Sequence, residues 1–128
     1  MTRENSECLG LEHRLRTSAE YTLIKDAGSP LRGRFFLLLA LARPGDPTKI
    51  GFIASRKGVG GAVQRNRARR RLREIVRRRW ARLPRTGYWL VFIASRAALS
   101  AAHEELANDI ERALASVGAL APIGLDGS

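Results

Sequence analysis

Short apolar runs in the middle of the chain predict buried β-strands. Residues 34–42 (RFFLLLALA) are continuously apolar after the first arginine, too short for a comfortable helix, and followed by the turn sequence RPGDP. Residues 49–55 (KIGFIAS) and 88–94 (YWLVFIA) have the same character, and residues 29–33 add a brief strand before them. The pattern therefore predicts four strands, three of which precede residue 56.

The spacing of polar and apolar residues elsewhere predicts helices. Thr17 and Glu20 fit the capping box, in which each side chain satisfies a backbone donor at a helix start, so we expect a helix over about 17–27 that ends at Gly28. Ser100 can cap a last helix. The apolar face of that helix comprises Ala102, Leu106, Ile110, Ala113, Leu114 and Val117.

A third helix is predicted in a segment that is rich in arginine. Its apolar stripe has spacings of three and four residues and comprises Ala68, Leu72, Ile75, Val76 and Leu83, with Trp80 on its margin. Pro84 and Gly87 end this helix. The stripe is expected to face the core, so the arginines face outward. Between Arg65 and Arg85 the one acid is Glu74.

The charge of the chain points to a polyanionic partner. There are 23 Lys and Arg against 12 Asp and Glu, a formal net charge of +11 and a pI near 11.4. A solvated charged face is the simpler explanation of most charge runs, but such faces mix both signs, and this run has one sign. Because nucleic acid would neutralise the arginines and release its counterions, we predict nucleic-acid contact along this helix.

A glycine-rich loop at 55–63 (SRKGVGGAV) joins a predicted strand to the arginine-rich helix. Glycines in such a place let backbone N–H groups approach an anion. However, the loop contains no GK[ST], and Val63 stands where a dinucleotide fingerprint has its third small residue. We therefore predict no mononucleotide site, whereas a phosphate of a polynucleotide remains compatible with this loop.

The sequence predicts no catalytic or metal centre made of protein. The last helix carries four acids on its predicted outward side, namely Glu104, Glu105, Asp109 and Glu111. Outward carboxylates do not converge on a pair of metal ions, as a nuclease would require. His13 and His103 are too few and too far apart in the chain to predict a zinc site.

Length and N-terminal composition indicate one intracellular domain. The 128 residues are expected to form a single domain, with a core at about 13–117 and loose tails at about 1–12 and 118–128. Cys8 has no partner for a disulfide, which suits a reducing cytosol. There is no signal-peptide pattern, and the longest apolar run is far too short to cross a bilayer, so we expect a cytoplasmic protein with no membrane partner.

Three stretches of the chain closely resemble the bacterial ribonuclease P protein component. They are GFIASRKGVGGAVQRNRARRRLREIVR, HRLRTSAEYTLIKDAG upstream of it and VFIASRAAL downstream of it. The resemblance spans about Arg14 to Val117, and its most specific element is Arg65-Asn66-Arg67, which is similar to the RNR box of that family. This tripeptide follows the strand and glycine loop, as in the family.

The resemblance implies an α+β fold, a two-layer α/β sandwich of three helices on a four-stranded sheet in the order αβββαβα. Its strand-helix-strand unit at 49–94 would cross over with the rare left hand. It also implies a ribonucleoprotein enzyme in which a catalytic RNA, with Mg²⁺ bound by that RNA, removes the 5′ leader from precursor tRNA. The protein would be an accessory subunit that binds both RNAs, without catalytic residues, a cofactor or an obligate protein partner.

Two sets of site residues follow from the resemblance. The set expected against the catalytic RNA is Arg65, Asn66, Arg67, Arg69, Arg70 and Arg73. The set expected in or beside a cleft for the single-stranded leader, between the first helix and the sheet, is Tyr21, Lys25, Phe36, Leu37, Leu39, Ser55, Arg56 and Lys57. Core packing is the ordinary alternative for Tyr21 and Phe36. Because Lys25 and Leu39 stand where family members have aromatic residues, we expect leader binding to depend more on charge than on stacking.

Three other classes of protein remain open from the sequence. A ribosomal-type structural RNA-binding protein would have the same charge, without a role in tRNA processing, and a comparison of tRNA precursors with and without a leader separates it. A DNA-binding protein would place the arginine helix in a major groove, which competition with duplex DNA tests. An autonomous nuclease would cleave RNA without any catalytic RNA.

Overall fold

The computed structural model describes residues 11–119, which form four α-helices, four β-strands and two short 3-10 helices. The α-helices are α1 (Ser18–Ala27), α2 (Ala62–Arg77), α3 (Ala97–Ser100) and α4 (His103–Ser116). The strands are β1 (Ser29–Arg32), β2 (Phe36–Pro47), β3 (Lys49–Ile53) and β4 (Thr86–Ala94). The 3-10 helices are Leu11–His13 and Trp80–Arg82. Cys8 and most of both predicted tails lie outside the described residues.

The strands form one mixed sheet in the spatial order β1-β2-β4-β3. β1 and β4 both pair antiparallel with β2, whereas β3 pairs parallel with β4. Two neighbouring parallel strands need a crossover connection, and α2 provides it here. The predicted α+β sandwich and its order of long elements are confirmed, with α3 as one additional helical turn. The left hand of the crossover stays a prediction.

The core lies mainly between the sheet and the helices α2 and α4. Strand residues alternate between the two faces of the sheet, so Leu38 and Phe92 point to α2 and α4, whereas Leu39 and Val91 point to the other face. α1 covers part of that second face through Ile24. The sheet is therefore buried fully on one face and partly on the other. Among residues 11–119 no helix has the length and apolar character to span a membrane.

The predicted start and end of α1 are confirmed in detail. Thr17 Oγ1 accepts a hydrogen bond from Glu20 N at 3.1 Å, and Glu20 Oε1 accepts one from Thr17 N at 3.1 Å. Gly28 N donates to Ile24 O at 2.8 Å and ends the helix. Both capping interactions are local in sequence, which is why the sequence pattern was sufficient to place this helix.

Two predicted boundaries around the strands are wrong. β2 does not turn at RPGDP but continues to Pro47, with a shift of register between Arg43 and Pro47. Gly45 lies in this irregular part with φ of +90°, a conformation that glycine adopts without strain. At the other end, β4 begins at Thr86 rather than at residue 88, so Gly87 belongs to the strand.

The ends of α2 and α4 also differ from the prediction. α2 ends at Arg77, and a 3-10 turn then carries Trp80 into the core, so the apolar spacing continues after the α-helix has stopped. Ser100 ends α3 and does not cap α4, which begins after Ala102 without a side-chain cap. The prediction missed α3 because a single turn of helix has too few residues to show a period.

Asp109 faces the core side of α4, although it was predicted to face outward. Its side chain is 2% exposed. Oδ2 accepts hydrogen bonds from Arg34 N at 2.7 Å and Phe35 N at 3.3 Å, and Oδ1 accepts one from Arg112 at 3.0 Å. The carboxylate therefore fastens the β1–β2 connection to α4, and these partners satisfy its charge in the interior.

Glu20 joins the start of α1 to β3. Besides its capping role, Oε1 accepts a hydrogen bond from Arg16 N at 2.8 Å, and Oε2 accepts one from Lys49 Nζ at 2.6 Å. Burial alone would raise the pKa of Glu20, but these hydrogen bonds and the charge of Lys49 lower the pKa to about 2. The carboxylate therefore stays ionised over the whole physiological range.

We expect the free energy of unfolding to fall as the pH drops from about 5 towards about 2, and Glu20→Gln to remove part of this dependence. The pKa of Glu20 returns towards 4.5 on unfolding, so the unfolded chain binds up to one more proton in this window. Urea unfolding at several pH values measures the effect. The stability difference between wild type and variant should be largest above about pH 5 and shrink in acid; a difference independent of pH would contradict this assignment.

Candidate nucleic-acid interface

α2 presents its arginines on the side away from the core. Its buried residues are Ala68, Leu72, Ile75 and Val76, as the stripe predicted. The first turn contains no acid, and the N-cap residue Gly61 makes no side-chain hydrogen bond to the helix start. The positive end of the helix dipole therefore adds to the arginine charge instead of being offset by a carboxylate.

The predicted RNA-contacting residues of α2 are placed on this outward side but differ in what holds them. Arg67 and Arg70 are exposed, and within residues 11–119 neither makes a hydrogen bond or ion pair with the protein. Arg69 donates a hydrogen bond to Asn66 Oδ1. Arg65 is half-buried, with its Nε enclosed. Arg73 is also exposed, and its guanidinium lies 5.9 Å from the centre of the Phe52 ring. Within residues 11–119, Arg67 and Arg70 are therefore the exposed cations of the predicted set without such a contact.

Other arginines of the same segment stabilise the fold. Arg71 donates to Ala98 O and to Ala101 O, both at 2.6 Å, and so satisfies carbonyls at the end of α3. Arg79 forms an ion pair with Glu111 at 2.7 Å. A hydrogen bond from Arg77 lowers the pKa of Glu74, which keeps that single acid ionised. The number of arginines in the sequence therefore exceeds the number available to an RNA.

The second predicted surface lies where α1 leaves the sheet partly uncovered, and we call it the sheet-face cleft. Tyr21, Leu37 and Leu39 share one apolar cluster there with Ile53 and Ile93, which the sequence had not singled out. Leu39 is only 8% exposed, whereas Leu37 is half-buried. The half-buried members of this cluster include Leu37, Ile53 and Ile93.

Phe36 does not belong to the sheet-face cleft, which corrects its predicted place. It is 3% exposed and packs edge-on against Phe92, with ring centroids 5.3 Å apart, in the core beneath α2 and α4. Because Phe36 and Leu37 are consecutive strand residues, only one of them can face α1. Core packing is the role that the structure gives to Phe36.

Tyr21 is half-buried and held in a fixed position. Its hydroxyl donates a hydrogen bond to Leu15 O at 3.2 Å. Its ring lies directly over Gly51, where a Cβ would come within 3.0 Å of two ring carbons. Burial raises the pKa of the phenol, and the charge of Glu20 raises it further. The ring is therefore a rigid wall that stays neutral, rather than a freely moving side chain.

Three more predicted residues, Ser55, Arg56 and Lys57, follow β3 and are exposed. Ser55 Oγ accepts a hydrogen bond from Gly58 N at 2.8 Å and orders the turn. Lys25, predicted beside the same cleft, is exposed in the last turn of α1. These four polar side chains are accessible, whereas Phe36 and Leu39, predicted with them, are buried.

Arg96 is a candidate that sequence reasoning missed. The pentapeptide FIASR occurs twice, at 52–56 and at 92–96. The two copies lie side by side in the parallel strands, with Phe52 opposite Phe92 and Ile53 opposite Ile93. β3 and β4 are parallel, so their carboxyl ends lie at the same end of the sheet. Arg96 therefore follows β4 at the end of the sheet where Arg56 and Lys57 follow β3. The repeated pentapeptide was the feature that could have identified Arg96.

The fold and the interface define a basic α+β protein that binds nucleic acid. A family model described as Ribonuclease P matches residues 9–118, and the chain belongs to this family. The chain is 39% identical over 109 residues to the Ribonuclease P protein component of Symbiobacterium thermophilum, which covers 84% of this chain and 93% of that protein. It is 36% identical over 108 residues to the same component of Kocuria rhizophila, with coverages of 84% and 94%.

Solved structures agree with this relationship. The RNase P protein from Thermotoga maritima superposes with a TM-score of 0.69 at 26% identity and covers 80% of this chain and 94% of that one. The Staphylococcus aureus RNase P protein superposes with a TM-score of 0.73 over 85% of this chain and 98% of that one, and at 21% identity it shows the shared fold.

Family membership gives the chain a role in tRNA processing. It is an RNA-binding accessory subunit of an endoribonuclease, and its partner is the ribonuclease P RNA. The family that the sequence stretches resembled is thereby confirmed, together with the RNA-binding character.

Proposed function

We propose that the chain binds the 5′ leader of precursor tRNA in the sheet-face cleft while the exposed arginines of α2 contact the catalytic RNA. The observation that carries this proposal is a row of half-buried apolar side chains, Leu37, Ile93 and Ile53, that crosses three strands in register beside Tyr21. Apolar groups left partly exposed in a basic protein offer a surface for the unpaired bases of a single strand.

Cations follow the row along the chain, beyond the carboxyl ends of β3 and β4. Arg56 and Lys57 lie in the turn that follows Ile53, and Arg96 follows Ile93 by three residues. A strand whose bases lie on the row would bring its phosphates close to these side chains. Because a polyanion releases counterions when it meets fixed cations, this arrangement supports binding that weakens as salt increases.

We propose that contacts between cations and phosphates contribute more to leader binding than base stacking does. Tyr21 is the one aromatic residue of the described cleft cluster that lies partly exposed on α1. A stacked base contributes about 1–3 kcal/mol. One such contact is modest beside several phosphate contacts, so the affinity for the leader is expected to follow the number of phosphates within reach of the cations.

Bond cleavage is left to the RNA in this proposal. The catalytic RNA supplies Mg²⁺ and the chemistry, and the protein supplies fixed positive charge where two polyanions must approach each other. Arginines that offset phosphate repulsion do part of the work that bound cations would otherwise do. The protein should therefore lower the Mg²⁺ concentration that cleavage requires.

Reconstitution tests the proposed function. The chain is added to a bacterial ribonuclease P RNA at limiting Mg²⁺, and removal of the 5′ leader is followed for precursors that carry a leader of several nucleotides or of one. We expect the protein to accelerate cleavage and to tighten binding of the long-leader precursor more than that of the short-leader precursor. Equal effects on both precursors would exclude leader binding, and cleavage that proceeds equally well without the protein would exclude the whole proposal.

A further inference from the structure

A groove runs along the outer edge of β3, between α1 and α2, and we call it the β3-edge groove. Its volume is about 480 Å³, with Gly51 and Phe52 at its floor, Tyr21 on the α1 side and Arg73 on the α2 side. A volume of this size lies in the range of sites for small organic ligands. Tyr21 and Arg73, expected on two separate RNA surfaces, thus line one groove.

The floor of the groove includes the aromatic ring of Phe52. Phe52 is partly exposed and stacks on Phe92, with centroids 5.7 Å apart and an interplanar angle of 14°. The guanidinium of Arg73 lies 5.9 Å from the centre of the Phe52 ring. A nucleobase can stack on the ring of Phe52, and the guanidinium of Arg73 can stack on the other face of that base.

The charge of the groove selects an anion. Arg14, Arg73 and Arg77 line it, and no acid is among the described residues that do so. Glu74 forms an ion pair with Arg77 from along α2, at 2.6 Å, and lies outside the lining. A ligand that combines a planar ring with a negative charge matches this lining, and a nucleotide has both.

The edge of β3 adds backbone groups to the groove. Leu15 N donates to Ile50 O at 3.1 Å, so the polar groups of Ile50 point to the outer edge. Phe52 is two residues further along the strand, and its N–H and C=O therefore point to the same edge. Within residues 11–119 this edge forms its one bridge at Ile50. A base on Phe52 would find a donor and an acceptor beside it.

We propose that the β3-edge groove binds one unpaired nucleotide of RNA, with its base on Phe52 and its phosphate at the guanidinium groups of Arg14 and Arg77. The inference rests on the proposed function, because it takes RNA as the partner, and it adds a second binding place beyond the sheet-face cleft. The nucleotide comes from the leader or from the catalytic RNA, and both sources present the same chemistry to the groove.

Titration with uridine 5′-monophosphate and with a pentauridylate, followed by amide resonances of the free protein, tests the groove. We expect saturable shifts at Gly51 and Phe52, and weaker binding of the pentauridylate by about five- to tenfold in Phe52→Leu. Arg73→Gln, at an exposed position, should weaken it similarly without affecting the fold. Arg32→Gln removes the same charge at the opposite edge of the sheet and should have a smaller effect.

Affinity unchanged in both Phe52→Leu and Arg73→Gln would overturn the proposal, as would shifts confined to Leu37 and Ile93 of the sheet-face cleft. Photo-crosslinking in the reconstituted complex then identifies the source, with 5-iodouridine placed either in the leader or in the catalytic RNA. A crosslink to Phe52 in either arm supports the groove, whereas Tyr21 also borders the sheet-face cleft and does not distinguish the two. If the leader still tightens precursor binding but neither arm crosslinks there, the groove proposal fails alone.

Discussion

Replacing Arg67 and Arg70 together by glutamine is expected to weaken binding of the ribonuclease P RNA by roughly tenfold or more near 0.1 M salt. Both side chains are exposed and make no hydrogen bond or ion pair within residues 11–119, so their charge is available to phosphates. Each lost contact should reduce the slope of log K against log salt by about 0.7–0.9. Binding titrations over a salt series measure this, and the Mg²⁺ midpoint of cleavage should rise.

Arg71→Gln is the matched control on the same helix. This variant also removes a positive charge from α2. However, the guanidinium of Arg71 is already hydrogen-bonded to the carbonyls of Ala98 and Ala101. The variant should lose stability, by about 1–3 kcal/mol, while its salt slope stays close to that of the wild type. If Arg71→Gln reduced the slope as much per charge as the double variant, the division between structural and RNA-facing arginines would be wrong.

Asp109→Ala is expected to destabilise the protein by about 3 kcal/mol, which for a chain of this size lowers Tm by about 10 °C. The carboxylate is 2% exposed and accepts hydrogen bonds from the N–H groups of Arg34 and Phe35. Alanine would leave both donors without this acceptor at a partly buried connection. Thermal and urea unfolding measure the effect.

Asn108→Ala and Asp109→Asn serve as controls for this loss. Asn108 is the exposed neighbour of Asp109 on α4, and its replacement should change stability by less than about 0.5 kcal/mol. Asparagine at 109 keeps one acceptor oxygen, so it should cost less than alanine. A similar cost for the changes at 108 and 109 would show that the effect comes from helix propensity and not from the hydrogen bonds of the carboxylate.

Local patterns were sufficient for the elements that depend on neighbouring residues. Thr17 and Glu20 predicted the start of α1 because both partners of each capping bond lie within one helical turn. The apolar stripe of α2 was predictable because it repeats at helical spacing from Ala68 to Val76. Where a boundary depends on a distant partner, as at Pro47, whose strand partner is Thr86, the sequence near it contains no such information.

The face to which a buried strand residue points could not be predicted from β2. Residues 36–41 of this strand are buried or half-buried on both faces, so this stretch is continuously apolar and no polar position fixes the phase of the alternation. Phe36 and Leu37 are therefore equivalent in the sequence and opposite in the structure. The prediction for Asp109 was wrong for a related reason. A carboxylate on the buried side of a helix needs hydrogen-bond donors, and those of Asp109 come from Arg34 and Phe35, which are far away in the chain.

The sequence also could not divide the arginines by role. Arg70 and Arg71 are adjacent and chemically identical, yet one is exposed and the other holds the end of α3. The difference is that residues 97–101, more than 25 positions later in the chain, pack beside α2 at Arg71. Residue type predicts the chemistry that a position can perform, and only tertiary contact decides whether that chemistry is already used within the protein.

The place of β3 in the sheet has a consequence for the order of assembly during synthesis. β3 directly follows β2 in the chain, but its strand partner is β4, which ends at Ala94. A newly made chain therefore cannot dock β3 until α2 and β4 have left the ribosome, and pairing over such a separation is slow compared with hairpin closure. The arginines of α2 are thus synthesised before the strand pairing that completes the β3-edge groove.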